Sequence, residues 1–286
     1  MTGTKASVRI WALPDDLAPC LSMFYTAELP LPDGQRVTDY LIPEWANLRF
    51  FLRGTPRVFL ANGQVVESAH IATGPSSHAL RFDADSALFC GFGLHPAGWA
   101  RTMRAPASTM ANAAHLITPD GPFAAFHPLC QMLAGAGHLD ADLIETVYRF
   151  LRTALPPART ARRIEHVHAI MIDPYLTEVS VFAERAGMSV RTLERLCARY
   201  FGFPPRLLLR RQRLMRSLTS FLLVKGGHWS DLIDRHYHDQ AHFVREFHAF
   251  MGMTPTEYAQ APRPFLQPLM AERQRVWGAP ALAPPS

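Results

Sequence analysis

Asp239-Gln-Ala-His-Phe-Val-Arg-Glu-Phe-His-Ala-Phe-Met-Gly-Met-Thr-Pro255 reads as a helix with both of its ends marked. Asp239 suits the free N–H groups of a first turn, Gly252 suits the left-handed residue that closes a last one, and Pro255 prevents continuation. Phe243, Phe247, Phe250 and Met251 fall on one stripe at helical spacing, leaving Gln240, His242 and Arg245 on another face. The pattern also stands 50 residues upstream, with Ser189 for Asp239, Leu193 for Phe243, Arg195 for Arg245, Tyr200 for Phe250, Gly202 for Gly252 and Pro205 for Pro255. Two copies of a short helix, a turn and a second helix with one apolar and one polar, basic face predict paired helix-turn-helix modules. Each polar face is expected to meet DNA.

Ala183, Gly187-Met-Ser189, Leu193-Glu-Arg195, Tyr237-His-Asp239-Gln-Ala-His-Phe243-Val-Arg245-Glu-Phe247 and Gly252-Met-Thr-Pro255-Thr-Glu-Tyr258 resemble the AraC/XylS family of bacterial transcription regulators, over about residues 160–260. The resemblance implies a sequence-specific regulator that binds double-stranded DNA, with a small-molecule effector, homodimerisation and RNA polymerase as further expected partners. The second unit departs from the family pattern. His236 stands at the turn position where glycine is usual, and Leu232-Ile233 lies one residue closer to that turn than Phe182-Ala183 does to Gly187. A left-handed non-glycine residue costs about 1 kcal/mol. A short or tilted second reading helix that chiefly grips the DNA backbone is therefore one expectation, and base reading by both units is the other.

On the first reading helix, capped by Ser189, Arg191 and Arg195 are one turn apart beside Val190, Thr192 and Glu194. Arginine can give two N–H donors to guanine O6 and N7, worth about 1–3 kcal/mol of discrimination, and Glu194 can accept from cytosine N4 or pair with an arginine. Arg195 has phosphate or a carboxylate as its alternatives. On the second helix, Gln240 matches the paired donor and acceptor of adenine and His242 can donate to base or phosphate. Arg245 is expected on phosphate, or bracing Glu246 or Asp234. Phosphate contacts fix position and base contacts fix sequence.

Charge supports this division. Residues 1–158 hold 11 Lys/Arg and 13 Asp/Glu, residues 159–286 hold 18 and 11, so the basic excess lies in the half with the repeat. With 286 residues, 48% of them hydrophobic, two domains with full cores are expected. No apolar run reaches the roughly 18 residues of a membrane span, and Pro14, Asp15 and Asp16 break any leader-like segment, so a cytoplasmic protein is expected. Cys20, Cys90, Cys130 and Cys197 are too far apart for a zinc pair and are expected as buried thiols. His70, His78, His95, His115, His127 and His138 form no close His-x-His with a carboxylate, and His166 and His168 point to different helix faces. Neither metal nor cofactor is expected.

From Tyr40 to Phe92 short β-leaning runs alternate with turns, and Asn62-Gly63 between Val58-Phe-Leu60 and Val65-Val66 predicts a hairpin. This pattern, with Pro43-Glu-Trp45 and Gly91-Phe-Gly-Leu-His-Pro-Ala-Gly98, resembles the cupin-like sensory domains that precede the DNA-binding part in some family members. Residues 1–30 are expected to be irregular or an edge strand. Phe123–Ala134 and Asp140–Leu155 carry helical periodicity, and the stripe Leu143, Ile144, Val147, Tyr148, Leu151 suits either a core or a dimer seam. Leu155-Pro-Pro-Ala158 marks the boundary.

The expected architecture is α+β: residues 1–156 form a β-rich, cupin-like barrel with flanking helices, and residues 157–261 an all-α domain. Its units cover about 179–202 and 230–252, joined by a long helix from Pro205 to about Leu223, and a proline-rich, loosely packed tail covers 262–286. That helix spans roughly 28 Å at about 1.5 Å per residue, near the roughly 34 Å between successive major grooves on one duplex face. The competing readings are a barrel enzyme, and a protein-binding scaffold carrying a degenerate DNA-binding module.

Overall fold

The computed structural model describes residues 5–223 and 233–277. Ten strands, with one helix between the last two, make up the amino-terminal domain's sheets: β1 (Ser7–Trp11), β2 (Leu21–Leu29), β3 (Val37–Leu41), β4 (Ala46–Arg53), β5 (Arg57–Phe59), β6 (Val65–Glu67), β7 (His70–Thr73), β8 (Leu80–Ala84), β9 (Ala87–Leu94) and β10 (Ala114–Leu116). They form two antiparallel sheets, ordered β1-β2-β9-β4-β7-β10 and β3-β8-β5-β6. The expected barrel is thus two facing sheets, with Tyr25, Phe51 and Ile71 of the larger packed on Leu41, Val58 and Phe82 of the smaller.

The Asn62-Gly63 hairpin forms as expected. Phe59 pairs with Val65, Gly63 takes φ +85°, and Leu60 N–H donates to the Gln64 carbonyl at 2.9 Å. Residues 1–30 are more ordered than their sequence suggests. β1 is an edge strand, but β2 is central, paired on one side with β1 and on the other with β9 from Leu21 to Leu29. Its alternation is masked because both faces are covered, so apolar residues appear on each side.

The first five helices are α1 (Pro96–Thr102), between β9 and β10, and then α2 (His127–Leu133), α3 (Ala141–Ala154), α4 (Ala161–Met171) and α5 (Val179–Arg185). Asp140 caps α3 by accepting from Leu143 N–H at 2.9 Å. The α3 stripe Ile144, Val147, Tyr148 and Leu151 is buried with Phe24, Phe50 and Phe92 on the outer face of the larger sheet. It is core, which removes the dimer-seam alternative for that stripe. Burying one such side chain fully stabilises by about 1.5–3 kcal/mol, which fixes α3 firmly to the sheet.

The remaining helices are α6 (Val190–Tyr200), α7 (Pro205–Leu223), α8 (Gln240–Met251), α9 (Pro255–Gln260) and α10 (Leu266–Trp277). The fold is a β-rich amino-terminal domain followed by a helical one. α10 is a correction. The prolines of the tail predict a loose segment, yet from Phe265 to Met270 four apolar side chains are buried, because Phe265, Leu266, Leu269 and Met270 recur at helical spacing. Pro268 lies in the first turn, where a missing N–H is tolerated.

All four cysteines are buried free thiols. Among the described residues, no helix is long and apolar enough to cross a membrane, and no group of three or more His, Cys, Asp or Glu is placed to hold a metal.

Candidate nucleic-acid interface

The first reading helix is set by backbone and apolar packing. Gly187 takes φ +63°, where its Cβ-less backbone turns the chain, and Met188 N–H closes onto the Ala183 carbonyl at 3.0 Å. Ser189 then caps α6, its Oγ accepting from Thr192 N–H at 3.3 Å. Leu193 and Cys197 turn inward against Phe182 and Phe201. That leaves Val190, Arg191, Glu194 and Arg195 exposed on one surface with Ser189, and Thr192 half-buried beside them. Among the described residues neither arginine has an ion-pair partner, so the carboxylate alternative for Arg195 is not what is seen.

The far end of this unit rests on the β-domain. Trp45 meets Phe201 edge-on at 5.7 Å and His168 at 5.3 Å, Ala97 of α1 enters the same core, and Arg101 pairs with Glu165 at 3.5 Å. His95 lies 4.9 Å from His168, and burial lowers its pKa to about 4, so this contact is made by neutral imidazoles. Docking therefore occupies the carboxy-terminal end of α6 and leaves its amino-terminal end free.

The second reading helix is set differently. The expected start of this unit at about residue 230, with Leu232, lies outside the described residues. The expected strained histidine is absent: Asn112 is the one described non-glycine residue with positive φ. The turn is built on Asp234 instead. Its Oδ1 accepts from His236 N–H at 2.9 Å and its carbonyl from Tyr237 N–H at 3.0 Å, so hydrogen bonds shape the chain without a left-handed residue. Asp239 caps α8 by accepting from His242 N–H at 2.6 Å, and Gly252 closes it at φ +70°. Phe243, Phe247, Phe250 and Met251 are buried as the stripe predicts, while Gln240 and Arg245 are exposed and His242 half-exposed.

Arg245 braces neither Glu246 nor Asp234, because both are taken. Glu246, 3% exposed, accepts from Arg213 at 2.7 and 3.0 Å, from Arg210 at 3.1 Å and from the Tyr237 hydroxyl at 3.0 Å. Asp234 pairs with Arg216 at 2.5 Å. Three of the five arginines along α7 thus tie the reading helix and its turn to the connecting helix. The sequence held one sign of this, a carboxylate at 246 inside an aromatic stripe, which demands a cation. Arg206, exposed at the start of α7, and Arg245 remain without ion-pair partners among the described residues and line one broad groove with His238 and His242.

The fifth arginine, Arg211, points the other way, into a cavity of about 80 Å³ between the two domains. It is 3% exposed, lies 3.9 Å over the Trp45 ring and donates to the Glu44 and Ser76 carbonyls at 3.3 and 3.2 Å. With neutral acceptors only, burial lowers its pKa to about 9. Arg49, paired with Glu44 at 2.5 Å, and Arg273 line the same cavity, where burial lowers the Arg273 pKa to about 10. Among the described lining residues, three cations against one carboxylate make it an anion-attracting cavity. The sequence did not bring these residues together, because they come from distant parts of the chain.

Residues 182–261 match the family profile described as a helix-turn-helix domain. The carboxy-terminal half thus contains a helix-turn-helix domain. No curated protein matches this chain by sequence. Similar solved structures include ToxT from Vibrio cholerae O395 (TM-score 0.43, 9% identity, 90% of this chain and 96% of that one). An apo variant of ToxT from V. cholerae strain SCE256 gives 0.44, 10%, 82% and 96%, and the AraC-like transcriptional activator CuxR gives 0.31, 12%, 74% and 86%.

Proposed function

We propose that this chain is a DNA-binding transcription regulator of the AraC type that reads two successive major grooves, residues 157–261 forming the DNA-binding part and 1–156 the part that receives a signal. Ser189, Val190, Arg191, Thr192, Glu194 and Arg195 serve the first box, with Arg191 on a guanine. Gln240 and His242 serve the second box, and Arg245 and Arg206 hold the phosphates of the backbone between them. The observation that carries this reading is the pairing of two capped helices with exposed amino-terminal faces, one leading into the 19-residue helix α7 and the other braced on it through Glu246. The effector we infer is a small anion held by Arg211, Arg49 and Arg273 between the domains, where it bears on both at once.

Selection of bound sites from random duplex DNA at moderate salt tests the reading, with Arg191→Ala and Gln240→Ala run in parallel. Two enriched boxes about one helical turn apart, each relaxed by one substitution, are expected. A single box indifferent to Gln240 leaves the first unit as sole reader, and no enrichment with or without small organic anions sinks the proposal. Arg245→Ala should instead weaken all sequences alike and lower the salt dependence of binding by about one counterion.

A further inference from the structure

After α9 the chain leaves the DNA-binding domain and returns to the β-domain. Ala6 N–H donates to the Pro264 carbonyl at 2.8 Å. The Asp39 carboxylate, fully buried on β3, accepts from Phe265 N–H at 2.9 Å and Leu266 N–H at 2.8 Å through Oδ2, and from Tyr40 N–H at 2.7 Å through Oδ1. It therefore holds the free amino-terminal N–H groups of α10. Phe265 stands between the sheets among Tyr25, Phe82 and Phe89, with ring centroids at 6.1, 6.1 and 5.4 Å.

α10 then divides its apolar residues between two cores. Leu269 joins Phe265 inside the β-domain, whereas Leu266 and Met270, four apart on the neighbouring face, enter the core of the second helix-turn-helix unit with Phe247 and Tyr258. Among the described residues, these two cores have no other helix in common. The same helix forms a wall of the anion-attracting cavity through Leu266, Leu269, Met270 and Arg273, so a molecule entering there presses on it. Apolar burial holds the segment in place, and the desolvation of Asp39, which raises its pKa, opposes it.

We propose that Pro264–Trp277 is a reversible clamp that fixes the second helix-turn-helix unit to the β-domain and is released through the adjoining cavity. The first unit is already held by Trp45 and Ala97. With the clamp closed, the angle between the two reading helices is set by the β-domain; with it open, by α7 and by the backbone hydrogen bond from Ala79 N–H to the Phe250 carbonyl at 2.7 Å. The effect on DNA rests on the DNA-binding reading above, but the clamp itself is testable without DNA.

Hydrogen exchange on the full chain is the direct measurement. Phe265→Ala should speed exchange in β3 and α10 by about tenfold or more while β4 and α6 keep their parent rates. Leu266→Ala combined with Met270→Ala cuts the other side of the helix and should free α10 while leaving β3 protected. Uniform acceleration across both domains, or none in α10, overturns the clamp. On duplexes carrying two selected boxes, one inserted base pair turns the second box by about 34°. The parent chain should discriminate against that insertion by about tenfold, and both clamp variants by about threefold or less. Unchanged discrimination in either variant refutes control of the angle. If the parent chain enriches no duplex at all, the DNA-binding reading fails, and the exchange rates still decide the clamp.

Discussion

The two helix-turn-helix units present similar capped helices from differently built foundations. In the first, Gly187 makes the turn and Phe182, Leu193, Cys197 and Phe201 make the core. In the second, Asp234 makes the turn, and a buried carboxylate, Glu246, sits in the aromatic stripe held by Arg210, Arg213 and Tyr237. An apolar core is indifferent to which way a helix is pulled, but a charge network fixes one geometry and fails as a whole when a member is lost. A turn of this kind can therefore form without the glycine that the first unit uses, provided that a carboxylate takes over. The consequence is that the second unit should respond to charge where the first does not.

The largest expected effect follows from Glu246. Replacement by alanine leaves the 18%-exposed Arg213 side chain without its carboxylate and Tyr237 without an acceptor. Breaking a buried pair costs about 3–5 kcal/mol, and partial access of Arg210 to water places the loss near the lower end, about 3 kcal/mol. Urea unfolding should show this loss, and bound-site selection should show the second box vanishing while the first survives. A loss below about 0.5 kcal/mol breaks the comparison, since the network would then hold nothing. Next comes Arg191→Ala, expected to cost about 1–3 kcal/mol against the preferred first-box base and nothing against its substitutes, as read by competition between duplexes. Equal loss on all duplexes would make Arg191 a phosphate contact.

Much of this was legible because it is local. The stripe and caps of 239–255 gave α8, proline and periodicity gave α7 from Pro205 to Leu223, and Asn62-Gly63 gave its hairpin. The parts that were not legible depend on contacts between distant residues. Periodicity showed that α3 has an apolar stripe but not that the β-sheet would cover it. Prolines in the tail masked Phe265 and Leu269, whose core partners lie in the β-domain, and Leu266 and Met270, whose partners lie in the second unit. The five arginines of α7 serve three separate purposes that their spacing alone does not separate: bracing Glu246 and Asp234, standing exposed in the groove, and entering the inter-domain cavity. The exposed polar face of each capped helix was the easiest to read, since exposure needs no partner.

Two smaller effects separate the foundations of the units. Gly187→Ala and Gly252→Ala both place a side chain on left-handed backbone, at φ +63° and +70°, and neither new Cβ would meet any atom within 4 Å. Each should therefore cost about 1 kcal/mol from backbone conformation alone, in chemical denaturation. Equal losses are expected because Gly252 closes α8 beyond the charge network, so a much larger loss at either position would point to a tighter site than the open space around these glycines allows.

Acid provides the finer distinction. At Asp234 burial raises the carboxyl pKa, but hydrogen bonds from Arg216 and from the His236 backbone and ring lower it further, and the net shift is downward. A carboxylate whose pKa falls on folding adds stability that is complete above its unfolded pKa, about 3.9, and is lost as pH drops through the folded value. Between pH 5 and pH 3 the turn at 234–237 should begin to lose its hydrogen bonds, while the Gly187 turn, which uses no carboxylate, keeps its own. Backbone amide shifts of His236 and Met188, followed by NMR across that range, report the two turns separately. Parallel titration of both amides would show that the acid response belongs to the domain as a whole, whereas movement of His236 alone would place it in the turn that replaced glycine with a carboxylate.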